Sequence, residues 1–348
     1  ESGVGKSVIA RQIAEQTSQS GKVVWLDADA LDCPDDLGVR RRLAINHSLS
    51  EIFGACTSHI ALLVLDGIDR FSSNTLTNAA RLVRTLSLHE GQSPGIWRLM
   101  LTSEATGWQR VLVDLAALNV DLGTAKVESI LFPEPDEIDN LLSRMPSLRN
   151  LANRRELGLL LRNLKILDFV ARSHQTVDSN TPSSWTTESD VLDWLWDYWT
   201  GTDSHRHARS ALLKKAGEAE GSSLAASIAA SSLDQAESQM LGQLEQRHVL
   251  RVKDERIRFA HDLIGDLARL RVLIGANHDA QAIRDHVLQP RWHRAVRLYG
   301  LRLLEQQQNG VSRWQQTIAQ LPPNDDASVI GRDLLLEAPI FSVNADHL

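Results

Sequence analysis

The sequence predicts an α/β fold: a parallel sheet with helices on both faces, then a helical stretch, a small helix-and-hairpin module and a final all-α region. Three observations carry this. Short apolar runs at 22–27, 60–65 and 97–101 read as strands, and the run Ile60-Ala61-Leu62-Leu63-Val64-Leu65 is apolar without a break, as a strand buried on both faces requires. Helical patterns separate the runs, notably over 75–88, and such alternation implies parallel strands joined by crossover helices. Beyond residue 136 the pattern turns helical, with one alternating hairpin near 249–259.

Composition narrows the class. The chain has 348 residues, enough for two or three domains at ~150 residues each. Hydrophobic residues make up 43% and charged residues 23%, which excludes a disordered tail, a fibrous repeat and a coiled coil. No run approaches the ~18 apolar residues of a membrane span, so no membrane partner is expected. With 37 basic and 44 acidic residues the net charge is −7, which disfavours a dedicated nucleic-acid or anionic-membrane binder. Cys33 and Cys56 are too sparse for a disulfide framework or a zinc site, and a reducing, cytoplasmic setting is expected. The chain opens at Glu1 rather than Met, with neither a basic nor an apolar leader segment, and is expected to be a piece of a longer protein, cut at both ends.

The first seven residues are Glu-Ser-Gly-Val-Gly-Lys-Ser. Gly5, Lys6 and Ser7 fit the end of the phosphate-loop pattern G-x-x-x-x-G-K-[ST], with the opening glycine and its strand expected before Glu1. Gly3 and Gly5 would let backbone N–H groups converge on phosphates. Lys6 would place a point charge on the β- and γ-phosphates, and Ser7 would offer a hydroxyl to Mg²⁺. A helix starting near Lys6 would aim its positive end at the same anion, with Val8, Ile9, Ile13 and Ala14 as its apolar face. The 60–65 run ends in Asp66-Gly67-Ile68-Asp69. Asp66 is the expected Mg²⁺ acid, and Asp69 is the nearest further carboxylate able to orient a water, hence the candidate catalytic residue. Thr102 or Ser103, at the tip of the next strand, is placed to sense a γ-phosphate or else to cap the following helix. A last short strand is expected at 126–131.

Helices are expected at 136–144 and 155–172, then a polar linker over 173–188 and an aromatic segment, Trp185 to Trp199, read as core. Residues 191–273 look like a winged helix: short helices at 224–232 and 234–246, a hairpin of 249–252 with 256–259, and a helix from His261 or Asp262 to about 273. The 234–246 helix carries Asp234, Glu237 and Glu245 and no Lys or Arg, so direct nucleic-acid binding is not expected of it. Helical patterns at 291–306 and 311–321 close the chain.

Over roughly residues 1–275 the chain resembles the STAND class of signal-transduction P-loop NTPases, which includes NACHT and NB-ARC proteins and bacterial antiphage sensors. The Asp66-Gly67-Ile68-Asp69 run looks like the NACHT form of the Mg²⁺ motif, and Phe259-Ala260-His261-Asp262 looks like the motif that ends the winged helix in that class. The resemblance implies a nucleotide-binding domain over 1–133, a helical lid over 134–175, a winged helix over 190–275 and the start of a helical sensor over 276–348. It implies ATP/ADP and Mg²⁺ as cofactors, a contact from His261 to the β-phosphate of ADP, self-oligomerisation on activation, and an unidentified trigger acting through the C-terminal region. Arg70 stands where NACHT proteins usually have Glu, Glu104 where related sensor strands often end in Arg, and Leu164 where the lid often has Pro. The first two exchanges point to slow rather than rapid ATP hydrolysis. The alternatives are a STAND transcription regulator with its DNA-binding domain elsewhere and an AAA+ ring ATPase; the ring would need an arginine finger, for which Arg70 and Arg110 are the nearest candidates.

Overall fold

The computed structural model describes residues 4–89, 96–122, 125–145, 161–174, 185, 187–222, 227–253, 255–276, 279–306 and 309–341. The fold is α/β, with a three-stranded parallel sheet and many helices. The chain divides into two compact units, one of Glu1–Pro133 with Asn163–Lys165, the other of Glu134–Arg162 with Ile166–Leu348.

In the first unit, α1 (Lys6–Ser18) leads into β1 (Lys22–Asp27), and β2 (Ile60–Asp66) and β3 (Ile96–Leu101) follow later in the chain. The order is β1-β2-β3, all parallel, with Leu26 opposite Leu65 and Leu65 opposite Leu101. β2 is central, so both its edges are paired and both its faces covered, which is why its sequence is apolar without alternation. Its side chains still alternate between two cores. Leu62 and Val64 pack with Ala10 and Ala14 of α1, while Leu63 and Leu65 join a larger cluster with Leu26, Phe53, Ile68 and Val111.

Two expectations fail here for local reasons. On α1 the sheet-facing residues are Ala10 and Ala14, whose small side chains leave room for Trp25 and Met100, whereas Val8, Ile9 and Ile13 are exposed. Residues 126–131 form no strand: Val127 and Leu131 stay exposed, and Lys126 pairs with Glu128 instead of facing a neighbouring strand.

The second unit is helical apart from one hairpin. Glu134 and Glu137 form a capping box around Pro135 at the start of the helix Pro135–Ser143. Of the expected 155–172 helix, 155–160 lie outside the described residues; a turn at Arg162 and Asn163 precedes the helix Leu164–His174. The helix Glu188–Thr200 opens on a Thr187–Asp190 capping box and buries Trp196 and Trp199, the latter edge-on to Phe169 at 5.3 Å. The aromatic segment therefore packs as core.

Helix Arg206–Ser222 leads to a module in which the helix Gln235–Gln246, the antiparallel pair β4 (Leu250–Lys253) and β5 (Arg256–Phe259), and the helix Asp262–Ile274 follow one another. The expected helix at 224–232 is not there among the described residues. Ile257 N–H bonds Ile228 O at 2.9 Å and Ala230 N–H bonds Glu255 O at 2.8 Å, so the segment spends its backbone on the hairpin edge and then closes a 3₁₀ turn, Ala230–Ser232. Residues 223–226 lie outside the described residues. The C-terminal part adds His293–Glu305 and Gly310–Ala319, near the expected positions, and two helices that were not expected, Asp279–His286 and Asp326–Glu337.

Shared carboxylates tie these helices together. Asp193 accepts Arg271 and Arg302, both at 2.6 Å, and Asp266 meets Arg269 at 2.7 Å and Arg294 at 3.4 Å. Glu305 is held differently, by Ser189 N–H at 3.1 Å and the Ser189 hydroxyl. Burial pushes its carboxyl above the usual glutamate range, the Ser189 donors oppose this, and Asp190 adds to it. The native state therefore holds this proton more tightly than the unfolded chain. Its stabilising effect is complete below the ordinary pKa of about 4.3 and is lost as pH rises through the raised native value. Glu305→Gln, which cannot ionise, is expected to flatten the fall in melting temperature from about pH 4.5 towards neutrality; parallel pH profiles for wild type and variant would contradict this account.

Candidate functional site

The start of α1 is set by Gly5, whose φ of 95° lies in the left-handed region that a side chain disfavours. Its carbonyl accepts Val8 N–H at 2.9 Å and Ile9 N–H at 3.0 Å, closing the first turn and placing Lys6 and Ser7 at the helix mouth. Among the described residues no side chain caps this helix and its first turn holds no acid of its own; the carboxylate that meets the turn is Asp66, through Ser7 Oγ. Gly3 lies outside the described residues. Burial pushes the Lys6 ammonium below the usual lysine range; the carboxylates of Glu104 and Asp69 oppose this, and Arg70 adds to it.

Asp66 ends β2, and its Oδ1 accepts two hydroxyls: Ser7 Oγ at 2.9 Å and Thr102 Oγ1 at 2.5 Å. Thr102 sits just past β3 and is buried. It also accepts Gly67 N–H on its hydroxyl at 2.8 Å and Ile68 N–H on its carbonyl at 3.0 Å, while its own N–H reaches Leu65 O at 3.1 Å. One threonine thus closes the ends of two strands. Ser103, the other residue considered at that tip, turns its hydroxyl to Glu104 O.

The chain leaves β2 through Gly67, with φ of 71°, into a 3₁₀ turn, Ile68–Arg70, anchored by buried Ile68 and followed by buried Phe71. Asp69 Oδ1 accepts Glu104 N–H at 3.1 Å, and Arg110 donates to Asp69 O at 2.6 Å. Burial raises the Asp69 carboxyl above the usual aspartate range; Arg70 opposes the rise and Glu104 adds to it. Arg110 thus braces the turn.

The first unit accordingly brings Lys6, Ser7, Asp66, Asp69 and Thr102 to the same end of its sheet. His261 belongs to the second unit. It caps the helix Asp262–Ile274, with Nδ1 accepting Leu263 N–H at 3.0 Å, and its ring stands edge-on to Phe169 at 5.9 Å. Arg70 and Glu104 escaped the sequence reading as a pair: Arg70 Nη2 lies 3.3 Å from Glu104 Oε1. The signal was that each departs, with opposite charge, from the pattern of the resembled class.

The donor set suits a small hard cation and a polyphosphate. A hydroxyl and a carboxylate, 2.9 Å apart, are oxygen ligands beside a lysine and an uncapped helix start. Among the described residues no group of three or more His, Cys, Asp or Glu could hold a metal ion alone. Mg²⁺ commonly takes one or two protein oxygens and completes its shell with phosphates and water. No family model matches the chain, and no curated protein matches it.

Thr102→Val would strip one donor from Asp66 and leave the half-buried Gly67 amide without its acceptor. The expected cost is about 1–3 kcal/mol of stability in urea denaturation. A loss within about 0.5 kcal/mol, the range of an inert surface change, would show that these bonds hold little.

Proposed function

We propose that the first unit is a P-loop that binds ATP or ADP with Mg²⁺, and that the chain is the nucleotide-operated switch of a STAND-type signalling protein. The observation that carries the reading is the pair of hydroxyls, Ser7 and Thr102, meeting on Asp66 beside Lys6. Lys6 and the first-turn amides of α1 would receive the β- and γ-phosphates. Ser7 and Asp66 would hold Mg²⁺, which supplies charge neutralisation of the phosphates. Thr102, by fixing Asp66, would set where that ion sits. Asp69 is the candidate to orient a water, but its Oδ1 already accepts the Glu104 amide. That bond occupies an oxygen the water would need, which fits slow turnover.

In this reading the second unit supplies the lid and winged helix, and ADP holds the protein inactive. A trigger acting through the C-terminal region permits exchange for ATP, and the ATP state self-associates in a defence or regulatory pathway. Nucleotide can drive this only by binding the two states with different affinity.

Lys6→Ala is expected to weaken binding of Mg–ADP and Mg–ATP at least ~10-fold by calorimetry; unchanged affinity would remove the site. His261 needs a variant that keeps its capping role. Serine is a good N-cap, so His261→Ser should preserve the melting temperature while speeding ADP release, if the imidazole retains nucleotide. Unaltered release with unaltered stability would reduce His261 to a helix cap.

A further inference from the structure

Three charged side chains act on Lys6 among the described residues. Glu104 and Asp69 are the carboxylates that sustain the Lys6 charge, and Arg70 is the cation that works against it. Arg70 is tied to both acids, at 3.3 Å from Glu104 Oε1 and 3.9 Å from Asp69 Oδ2. The three side chains are mostly buried, at 20% exposure for Arg70, 10% for Asp69 and 13% for Glu104, so screening by water is limited. The Arg70 backbone is fixed by the 3₁₀ turn between buried Ile68 and Phe71. Its guanidinium, at the end of a long stem, can still change partner without moving the turn.

The carboxylates are not equally committed. Asp66 is held by two hydroxyls and Asp69 by the Glu104 amide. Glu104 meets Arg70 side chain to side chain, an ion pair between two long stems. Arg110 is unlike Arg70, because it donates to Asp69 O at 2.6 Å and stands 3.7 Å from Asp114. Arg70 is the guanidinium that meets the Glu104 side chain, across from the end of β2.

We propose that Arg70 reads the terminal phosphate of a nucleoside triphosphate, leaving Glu104 to do so, and that Glu104 holds it back when a diphosphate is bound. The inference rests on the nucleotide reading above and adds to it the means by which the site tells triphosphate from diphosphate. A third phosphate brings negative charge towards Lys6. That charge repels Glu104 and attracts Arg70, whose planar fork matches phosphate oxygens two at a time. A diphosphate supplies no such charge, and the Arg70–Glu104 pair persists. The exchange gives the two nucleotides different interactions with the same turn, which is the condition for a population shift. Arg70 acts here in recognition, within its own chain.

The test is calorimetric titration of the chain with Mg–ADP and with a slowly hydrolysed Mg–ATP analogue. Wild type, Arg70→Gln and Glu104→Gln would be compared, each checked for cooperative melting. Arg70→Gln should lose ~10-fold or more in triphosphate affinity while diphosphate affinity stays within about twofold. Glu104→Gln should shift the ratio the other way, with tighter triphosphate binding, because Arg70 is no longer held. Equal loss for both nucleotides in Arg70→Gln, or an unchanged ratio, would overturn the proposal. If Arg70→Gln does not fold, an unchanged ratio in Glu104→Gln overturns it alone. A wild-type chain that binds neither nucleotide would instead overturn the nucleotide reading, and this inference with it.

Discussion

The carboxylate of Asp66 is the point on which the end of the sheet depends. It closes the central strand, and two hydroxyls from elements far apart in sequence, Ser7 on α1 and Thr102 after β3, end on the same oxygen. Buried polar groups must find partners, and here each satisfied group satisfies the next. Thr102 gives its proton to Asp66 and takes one from Gly67, and the backbone of Ile68 returns to Thr102 O. The turn carrying Asp69 and Arg70 is therefore positioned by the same bonds that orient Asp66. A chemical site and a strand terminus are one structure here.

The second unit solves its packing with shared ions. Asp193 and Asp266 each face two guanidiniums from different helices or turns. Such pairs contribute little net stability once their desolvation is counted. They do penalise misalignment, because a helix that slides by one turn leaves a charge without its partner. In a unit made mostly of helices, that favours a single register.

What the sequence reveals follows the strength of the physical constraint. The three strands are legible because a parallel strand covered on both faces has to be apolar. The sequence singled out Ser7, Asp66 and Thr102 from a motif pattern, and the structure brings these three together in hydrogen bonds at one end of the sheet. The apolar face of α1 is misread, since helical spacing cannot show that two alanines face the sheet while Val8, Ile9 and Ile13 face outward. The 126–131 segment is misread because its apolar residues, Val127 and Leu131, stay exposed instead of packing on the sheet. Helix Asp279–His286 is short and carries one large apolar residue, Ile283, and the apolar residues of Asp326–Glu337 fall in two runs, Val329-Ile330 and Leu334-Leu335-Leu336, that do not read as a helical stripe. The Arg70–Glu104 pair is invisible in principle: the residues lie 34 apart and meet only because β2 and β3 are in register.

That register also fixes the order of events when the chain first folds. β4 and β5 join through a tight hairpin, with Lys253 opposite Arg256, so their pairing is local and on the scale of microseconds. β1 must wait for β2, and β2 for β3, each across an intervening stretch of helices. Closing those loops costs entropy before any ladder bond repays it, which makes parallel pairing slow. During synthesis, β1 emerges with Val23 and Trp25 before β2, its neighbour in the sheet, is made. The sheet of the first unit is thus where a nascent chain would most need shelter, and where a chaperone would find its substrate.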